Sequence, residues 1–267
     1  MQNDDSSGKF KKILSDIIAG TKAPIVMYTG LLGLANAFDC PRDRLPMHLF
    51  SIINEVIGTN RDLLMPTYTN GFLRDSILDL DATPGTTGMI NEAFRKSNNA
   101  ARTVSAFFSF AVRGPSSNFL TSLRPNQAWG DNSLFEWFEN TDALLIMLGV
   151  PWDRCSFLHR AEWLAQVPYR YEKKFSGKIK INNKLEELCE SLFVRSLDPL
   201  VENIWTGIDK ILISHGMQSF ALGRSSISVL SAKKLTRAIT TELRADPFKF
   251  VKNKEIITKT FHNKGNV

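Results

Sequence analysis

Three short runs, "PIVMYTG", "LLMPTYT" and "ALLIMLG", constrain most what this chain can build. Each is apolar at consecutive positions, so the strand it predicts must be covered on both faces. Each is followed at once by glycine or hydroxylic residues, which mark a turn. Strands of this kind belong in a sheet with helices on both sides. The intervening segments supply such helices. "KFKKILSDII" gathers Phe10, Ile13, Leu14, Ile17 and Ile18 on one side, and "RLPMHLFSIINEVIG", "MINEAFRKS", "NFLTSL" and "SLFEWFEN" follow. "ARTVSAFFSFAVRG" is β-branched and aromatic, hence extended. Beyond Tyr171, "KKFSGKIKIN" reads as a hairpin arm, and "KLEELCESLF", "PLVENIWTGIDKILISHG" and "AKKLTRAITTEL" as helices. The expectation is an α/β fold, a central mixed, largely parallel sheet with helices on both faces. Residues 1–255 form one domain and residues 256–267 a frayed tail.

Composition excludes several classes. The 267 residues are 43% apolar, with 18 Phe and 5 Trp to fill a core. No stretch approaches the ~18 apolar residues of a membrane span, and the polar N-terminus lacks the order of a secretory signal. Cys40, Cys155 and Cys189 are odd in number and without paired spacing, which points to a reducing compartment, the cytoplasm, and away from a disulfide frame. Four scattered histidines make no metal site. Lys and Arg number 33 against 27 Asp and Glu, a surplus of +6 that favours an anionic small-molecule partner. No nucleic-acid motif accompanies it, so neither nucleic acid nor membrane is expected as a partner.

If the three strands are parallel, the loops after them meet on one rim, where open α/β sheets place ligands. Tyr28, Thr29 and Gly30 follow the first strand, Thr67, Tyr68 and Thr69 the second, and the segment to His159 the third. His159 and Glu162 stand three apart on a predicted helix and share a face. On spacing alone a helix-start histidine beside a solvated glutamate is the plainer reading.

The order of these segments resembles the aminoglycoside 3-N-acetyltransferase family over about Phe10 to Val251. "VMYTGLLGL" sits where that family has a His-Ser-Ser-Leu turn. "LLMPTYT" matches its second strand. "TPGTTGMINEAFRKSNNAARTVSAFFSFAVRGP" matches a glycine turn, a helix and an Arg-Ser-x-His-Pro-x-x-Ser loop. "LLIMLGVPWDRCSFLHRAEWLAQVPYRY" matches the Leu-His-x-Ala-Glu segment, and "ALGRSSISVLSAKKL" a glycine-anchored C-terminal stretch. The departures fall in the turn and the loop: Tyr28 replaces the turn's histidine, Gly30 replaces a serine, and Ser105-Ala106 replaces His-Pro.

The resemblance implies acyl transfer from coenzyme A to the amine of a sugar. A sugar ammonium must lose a proton before it can attack, and imidazole titrates near the working pH. His159 is then the base and Glu162 the group that fixes its tautomer. Donors for the developing oxyanion are Thr29, Thr67, Thr69 or backbone N–H groups of the first turn. The coenzyme is expected on Thr29, Gly30 and Leu31, on the glycine turn Thr86, Thr87 and Gly88, and on Arg102, Ser105 and Ser109. The acceptor is expected on Tyr28, Thr67, Tyr68, Thr69, Tyr169 and Arg170. A polycationic aminoglycoside wants several carboxylates and a nucleotide-linked amino sugar wants cations, so the +6 surplus favours the second, as in surface-polysaccharide synthesis. An aminoglycoside acceptor, as in antibiotic resistance, and a non-catalytic basic binding protein are the alternatives.

Overall fold

A computed structural model describes residues 6–264, the side chains of Arg74 and of 262–264 excepted. The elements run α1 (Ser6–Ile18), β1 (Ile25–Thr29), α2 (Leu45–Ile57), β2 (Leu63–Pro66), α3 (Phe72–Asp75), β3 (Ile77–Asp79), α4 (Met89–Arg95), β4 (Ala101–Arg102), β5 (Phe110–Arg113), α5 (Ser117–Ser122) and α6 (Leu134–Asn140). They continue with β6 (Leu144–Leu148), α7 (Leu158–Ala165), β7 (Arg170–Ile181), β8 (Lys184–Arg195), α8 (Ile208–Ser214), β9 (Gln218–Leu222), β10 (Ser225–Ser231), α9 (Ala232–Ala245) and α10 (Lys254–Lys264).

A seven-stranded sheet has the order β4-β5-β2-β1-β6-β10-β9. The three apolar runs form its centre. β1 pairs in parallel with β2 and with β6, in register Ile25↔Leu63 and Ile25↔Leu144. The flanking pairings, β2 with β5, β5 with β4, β6 with β10 and β10 with β9, are antiparallel. The sheet is therefore mixed, and its parallel part is confined to the middle.

The continuous apolar character of the central strands is accounted for residue by residue. Val26, Tyr28, Leu64, Leu145 and Met147 point into one core, with residues of α6, α7, α8 and α9. Ile25, Met27, Leu63, Met65, Ile146 and Leu148 point into the other, with α1, α2 and α4. Alternate positions of one strand thus serve two layers, and none is left for solvent.

A second sheet, β3-β7-β8, stands apart from the first. Here the sequence reading fails. "KLEELCESLF" has its leucines at helical spacing, yet it is the second arm of a long hairpin, Arg170↔Arg195 through Ile181↔Lys184. The two-residue turn Asn182-Asn183 has φ of 49° and 62°, the left-handed pair that closes a tight hairpin. That turn chemistry overrides the period. The stretch 199–216 is likewise helical only over Ile208–Ser214, because Gly207 at φ 78° breaks it and Asn203 pairs with Val251. At the C-terminus, residues expected as a frayed tail continue as α10, with Ile257 buried. Residues 265–267 of that tail lie outside the described residues.

Because β1, β2 and β6 are parallel, the segments after Thr29, Pro66 and Leu148 leave the sheet at one rim. Two of them touch. Gly30 N–H donates to the Leu148 carbonyl at 2.9 Å. A Cβ on Gly149, which sits at φ +67°, would lie 2.5 Å from the Gly30 carbonyl oxygen. Only glycine meets both demands.

Candidate active site

The segment after β6 runs through a single 3-10 turn, Trp152–Arg154, into α7. α7 is eight residues long and ends at Gln166, whose φ of 49° closes it. Leu158 and Ala161 bury one side of it. His159 and Glu162 fall on the side facing β7.

The Glu162 carboxylate has no exposure to solvent, and each of its oxygens takes two donors. Oε2 lies 2.6 Å from His159 Nδ1 and 2.9 Å from Arg170 Nη2. Oε1 accepts from the Tyr169 hydroxyl at 2.8 Å and from Asn203 Nδ2 at 2.7 Å. Burial alone would raise this acid, but Arg170, His159 and Tyr169 prevail and hold its pKa at about 2. An ionised carboxylate only accepts, so Nδ1 carries the imidazole proton and Nε2 the lone pair. Burial lowers the histidine's own pKa, and the Arg170 charge lowers it further against the pull of Glu162.

The imidazole lines a cleft of about 690 Å³. Trp129 meets it edge-on at 5.5 Å, and Phe108 packs on Trp129 at 5.0 Å. Phe175, Phe193 and Trp205 also line it, as do the cations Arg154, Lys173 and Arg195. Asp153 is the one carboxylate among the residues lining the cleft. Arg195 and Lys173 have no ion-pair partner among the described residues, whereas Arg170 is spent on Glu162. A neutral imidazole with Nε2 open to such a cleft can take a proton from an amine and hold it as imidazolium, because Glu162 stands behind Nδ1.

Tyr169 and Arg170 therefore both support Glu162; Arg170 also lines the cleft, whereas Tyr169 does not. Tyr169 is wholly buried. Asn203 escaped the sequence reading, since it lies 41 residues from Glu162 in a stretch that reads as helix. Trp129 escaped it too, for want of any local pattern.

The remaining candidates form other clusters. Tyr28 and Tyr68, from the first two strand ends, both hydrogen-bond the Ser156 hydroxyl, Tyr28 at 2.9 Å. The His159 N–H donates to the Ser156 carbonyl at 3.1 Å, so three rim segments are tied together just before the imidazole. Cys155 is buried and its thiol is pushed up to about 12, which leaves it inert as a nucleophile.

Arg102 is fully engaged inside the protein. Nε donates to Thr67 Oγ1 at 3.2 Å and Ser109 Oγ at 3.0 Å, Nη1 to the carbonyls of Leu80 and Thr83 at 2.9 and 2.6 Å, and Nη2 to that of Thr67. Burial lowers its pKa to about 10. It is an internal tie, and with Ser109 and Thr67, both fully buried, it is withdrawn from the coenzyme. Ser105 donates to the buried Glu190 at 2.8 Å and is withdrawn as well.

Thr29 donates to Asn91 at 2.7 Å, Thr86 and Thr87 donate to the carbonyls of Tyr68 and Pro66, and Thr69 accepts from the Gly71 N–H at 3.3 Å. Leu31 is half-buried against the α2 side of the sheet. Thr86 and Gly88 line a separate depression of about 450 Å³ beside Asp43 and Glu92. The expected coenzyme residues do not converge on His159.

The sequence profile described as aminoglycoside 3-N-acetyltransferase matches residues 43–244. Aminoglycoside N(3)-acetyltransferase IV of Salmonella sp is 27% identical over 132 residues, 48% of this chain and 49% of that protein, so the chain spans about half the length of the curated relative it matches. Among solved structures, the apoenzyme of aminoglycoside acetyltransferase AAC(3)-IVa superposes with a TM-score of 0.72 at 20% identity, covering 94% of this chain and 92% of that one. AAC-IIIb, in a binary complex with CoASH, gives 0.70 at 16% identity over 88% and 96%. At such identities these structures speak for the fold, while the profile spans most of the sequence: the chain belongs to the aminoglycoside 3-N-acetyltransferase family.

Proposed function

We propose that this protein is an acyl-CoA-dependent N-acyltransferase that acylates the amine of an amino sugar. The observation that carries the reading is the His159 imidazole, its Nδ1 held 2.6 Å from a buried, ionised Glu162 while the ring faces the cleft. Coenzyme A, when bound, supplies the activated acyl thioester. The cleft suits it in two respects: its apolar walls match a pantetheine arm, and the unpaired Arg195 and Lys173 match phosphate. His159 Nε2 removes the proton from the acceptor amine, Glu162 compensates the imidazolium, and Asn203, Tyr169 and Arg170 keep the carboxylate ionised and in place.

Family membership, and the names of the relatives, support an aminoglycoside as acceptor. A second reading, a nucleotide-linked amino sugar, draws support from the cleft itself. Arg154 pairs with Asp153 at 3.7 Å, which leaves Lys173 and Arg195 as the uncompensated charges of the cleft, a balance that repels a polycation and attracts a phosphorylated acceptor. A role in surface-polysaccharide synthesis has no support from the family. Thiol release from acetyl-CoA, measured with kanamycin-like compounds and with nucleotide-linked amino sugars, separates the acceptors. Release with neither, at any coenzyme concentration, would remove the transferase reading and leave a basic binding protein.

A further inference from the structure

The cleft beside His159 is poorly lined for a polycationic sugar. Its one carboxylate, Asp153, is paired with Arg154 at 3.7 Å. What it offers instead is apolar surface. Leu73, Tyr171, Leu197 and Ile204 all line it, and they are 62%, 48%, 68% and 46% exposed. A single exposed apolar side chain needs no explanation, but four lining one cleft make a patch, and such patches mark binding surfaces.

The fold holds these side chains beside the catalytic pair. Tyr171 follows Arg170 and Ile204 follows Asn203, and both Arg170 and Asn203 donate to Glu162. Leu197 follows Ser196, whose N–H donates to the Tyr169 carbonyl at 2.9 Å, and the Tyr169 hydroxyl bonds the same carboxylate. Three of the four are thus carried by backbone that also carries the supports of Glu162. Ile204 is fixed again by its own N–H, 2.8 Å from the Phe250 carbonyl, and by Trp205, which packs on Phe250 at 4.7 Å. Leu73 comes from α3, where its neighbour Phe72 is buried. From Tyr171 the apolar surface continues along the β7–β8 hairpin: Val194 stands across from Tyr171 and Leu192 across from Lys173, on one face, and both line the cleft. Folding leaves this apolar area in water, and a ligand that covers it recovers the loss.

We propose that the acceptor is an amino sugar carrying an apolar aglycone, with the sugar amine at His159 Nε2 and the aglycone against Leu73, Tyr171, Leu197 and Ile204. The proposal deepens the acyltransferase reading and rests on it for the role of the amine. An alkyl chain and an aryl ring share the required chemistry. A polycationic, heavily hydroxylated acceptor gains little from such a surface.

Calorimetric titration of the full chain with the methyl, phenyl and octyl glycosides of glucosamine, the last kept below its micellar concentration, tests it, with thiol release from acetyl-CoA followed on the same preparation. Each methylene withdrawn from water is worth about fourfold in affinity, so the octyl or the phenyl glycoside is expected to bind about tenfold or more tightly than the methyl glycoside. The double variant Leu197→Asn/Ile204→Asn and, independently, Leu73→Gln, each confirmed as folded by thermal melting, are expected to cut that advantage by about threefold or more. A tighter octyl glycoside assigns a chain and a tighter phenyl glycoside a ring. Equal affinity for all three glycosides, binding of none, or an advantage that survives in both variants overturns the proposal. Variants that weaken coenzyme A as much as the octyl glycoside overturn it too, because the surface then serves the coenzyme. Thiol release with no preference among the glycosides keeps the transferase and removes the aglycone; preference without thiol release keeps the apolar site and removes the transferase reading.

Discussion

His159 Nδ1 lies 2.6 Å from Glu162 Oε2, and the glutamate that accepts its N–H is entirely shielded from solvent. A carboxylate so placed fixes one tautomer and no other. Replacing Glu162 by Gln offers the ring an amide that can donate to Nδ1, which moves the proton to Nε2 and removes the lone pair from the cleft. Glu162→Gln is expected to lower kcat by roughly 10²-fold or more, with the KM for acyl donor nearly unchanged. Steady-state kinetics check this; a variant altered in KM alone would place Glu162 among the binding groups.

The pH dependence follows from the same group of charges. His159 has its pKa lowered by burial first and by Arg170 second, while Glu162 pulls it upward. As a base it works only when neutral, so activity falls as pH drops through a midpoint below the ordinary histidine value of about 6.5. Removing the cation, as in Arg170→Met, leaves the Glu162 charge and must raise that midpoint, shifting the acid limb of kcat/KM to higher pH. A limb that moves down, or stays fixed, contradicts the assignment of His159 as the titrating base.

What was legible in the sequence and what was not divides along physical lines. β1, β2 and β6 were legible because strands covered on both faces must be apolar throughout, a pattern local to each run. That His159 and Glu162 share a face was legible, because three residues on one helix fix that relation, but spacing alone favours a solvated glutamate, and their pairing as base and support comes only from the family resemblance. The donors on Glu162 Oε1 were not legible: Asn203 reaches it from a loop, and its approach is set by the Asn203–Val251 bridge and the turn before α8. Arg102 misled for the converse reason. A basic residue in a serine-rich loop reads as an anion contact, and only the fold shows its guanidinium already occupied by carbonyls from Thr67, Leu80 and Thr83.

That occupation gives Arg102 a testable role. Its guanidinium satisfies the carbonyls of Leu80 and Thr83 and, together with Ser109 Oγ, that of Thr67, so Arg102→Ala is expected to destabilise the protein by about 3–5 kcal/mol. Affinity for coenzyme A in the remaining folded fraction should not change. Denaturant unfolding paired with coenzyme titration checks both; intact stability with weakened coenzyme binding would return Arg102 to the ligand.

Glu190 makes stability itself depend on pH. It is buried, accepts from Ser105 at 2.8 Å and from the Ala106 N–H at 2.7 Å, and burial raises its pKa from 4.5 to about 7 against those two bonds. The folded carboxyl keeps a proton that the unfolded chain releases, so stability falls as pH rises from about 4.5 to about 7 and is level above that. Over that window the group contributes a loss of about 3 kcal/mol. Glu190→Gln keeps an acceptor for Ser105 and Ala106 without the charge, and is expected to melt higher than the wild type at pH ~8 and about equally at pH ~5. Calorimetric melting at the two pH values checks it; a variant less stable at the higher pH would contradict the buried-carboxyl account.

The central claim is that His159 takes the proton from the acceptor amine beside a bound thioester. It is tested most directly by His159→Ala, with thiol release measured at saturating acetyl-CoA and coenzyme affinity measured on the same preparation. The expected result is a fall in kcat of ~10²–10⁴-fold with coenzyme affinity unchanged; turnover near that of the wild type would contradict it.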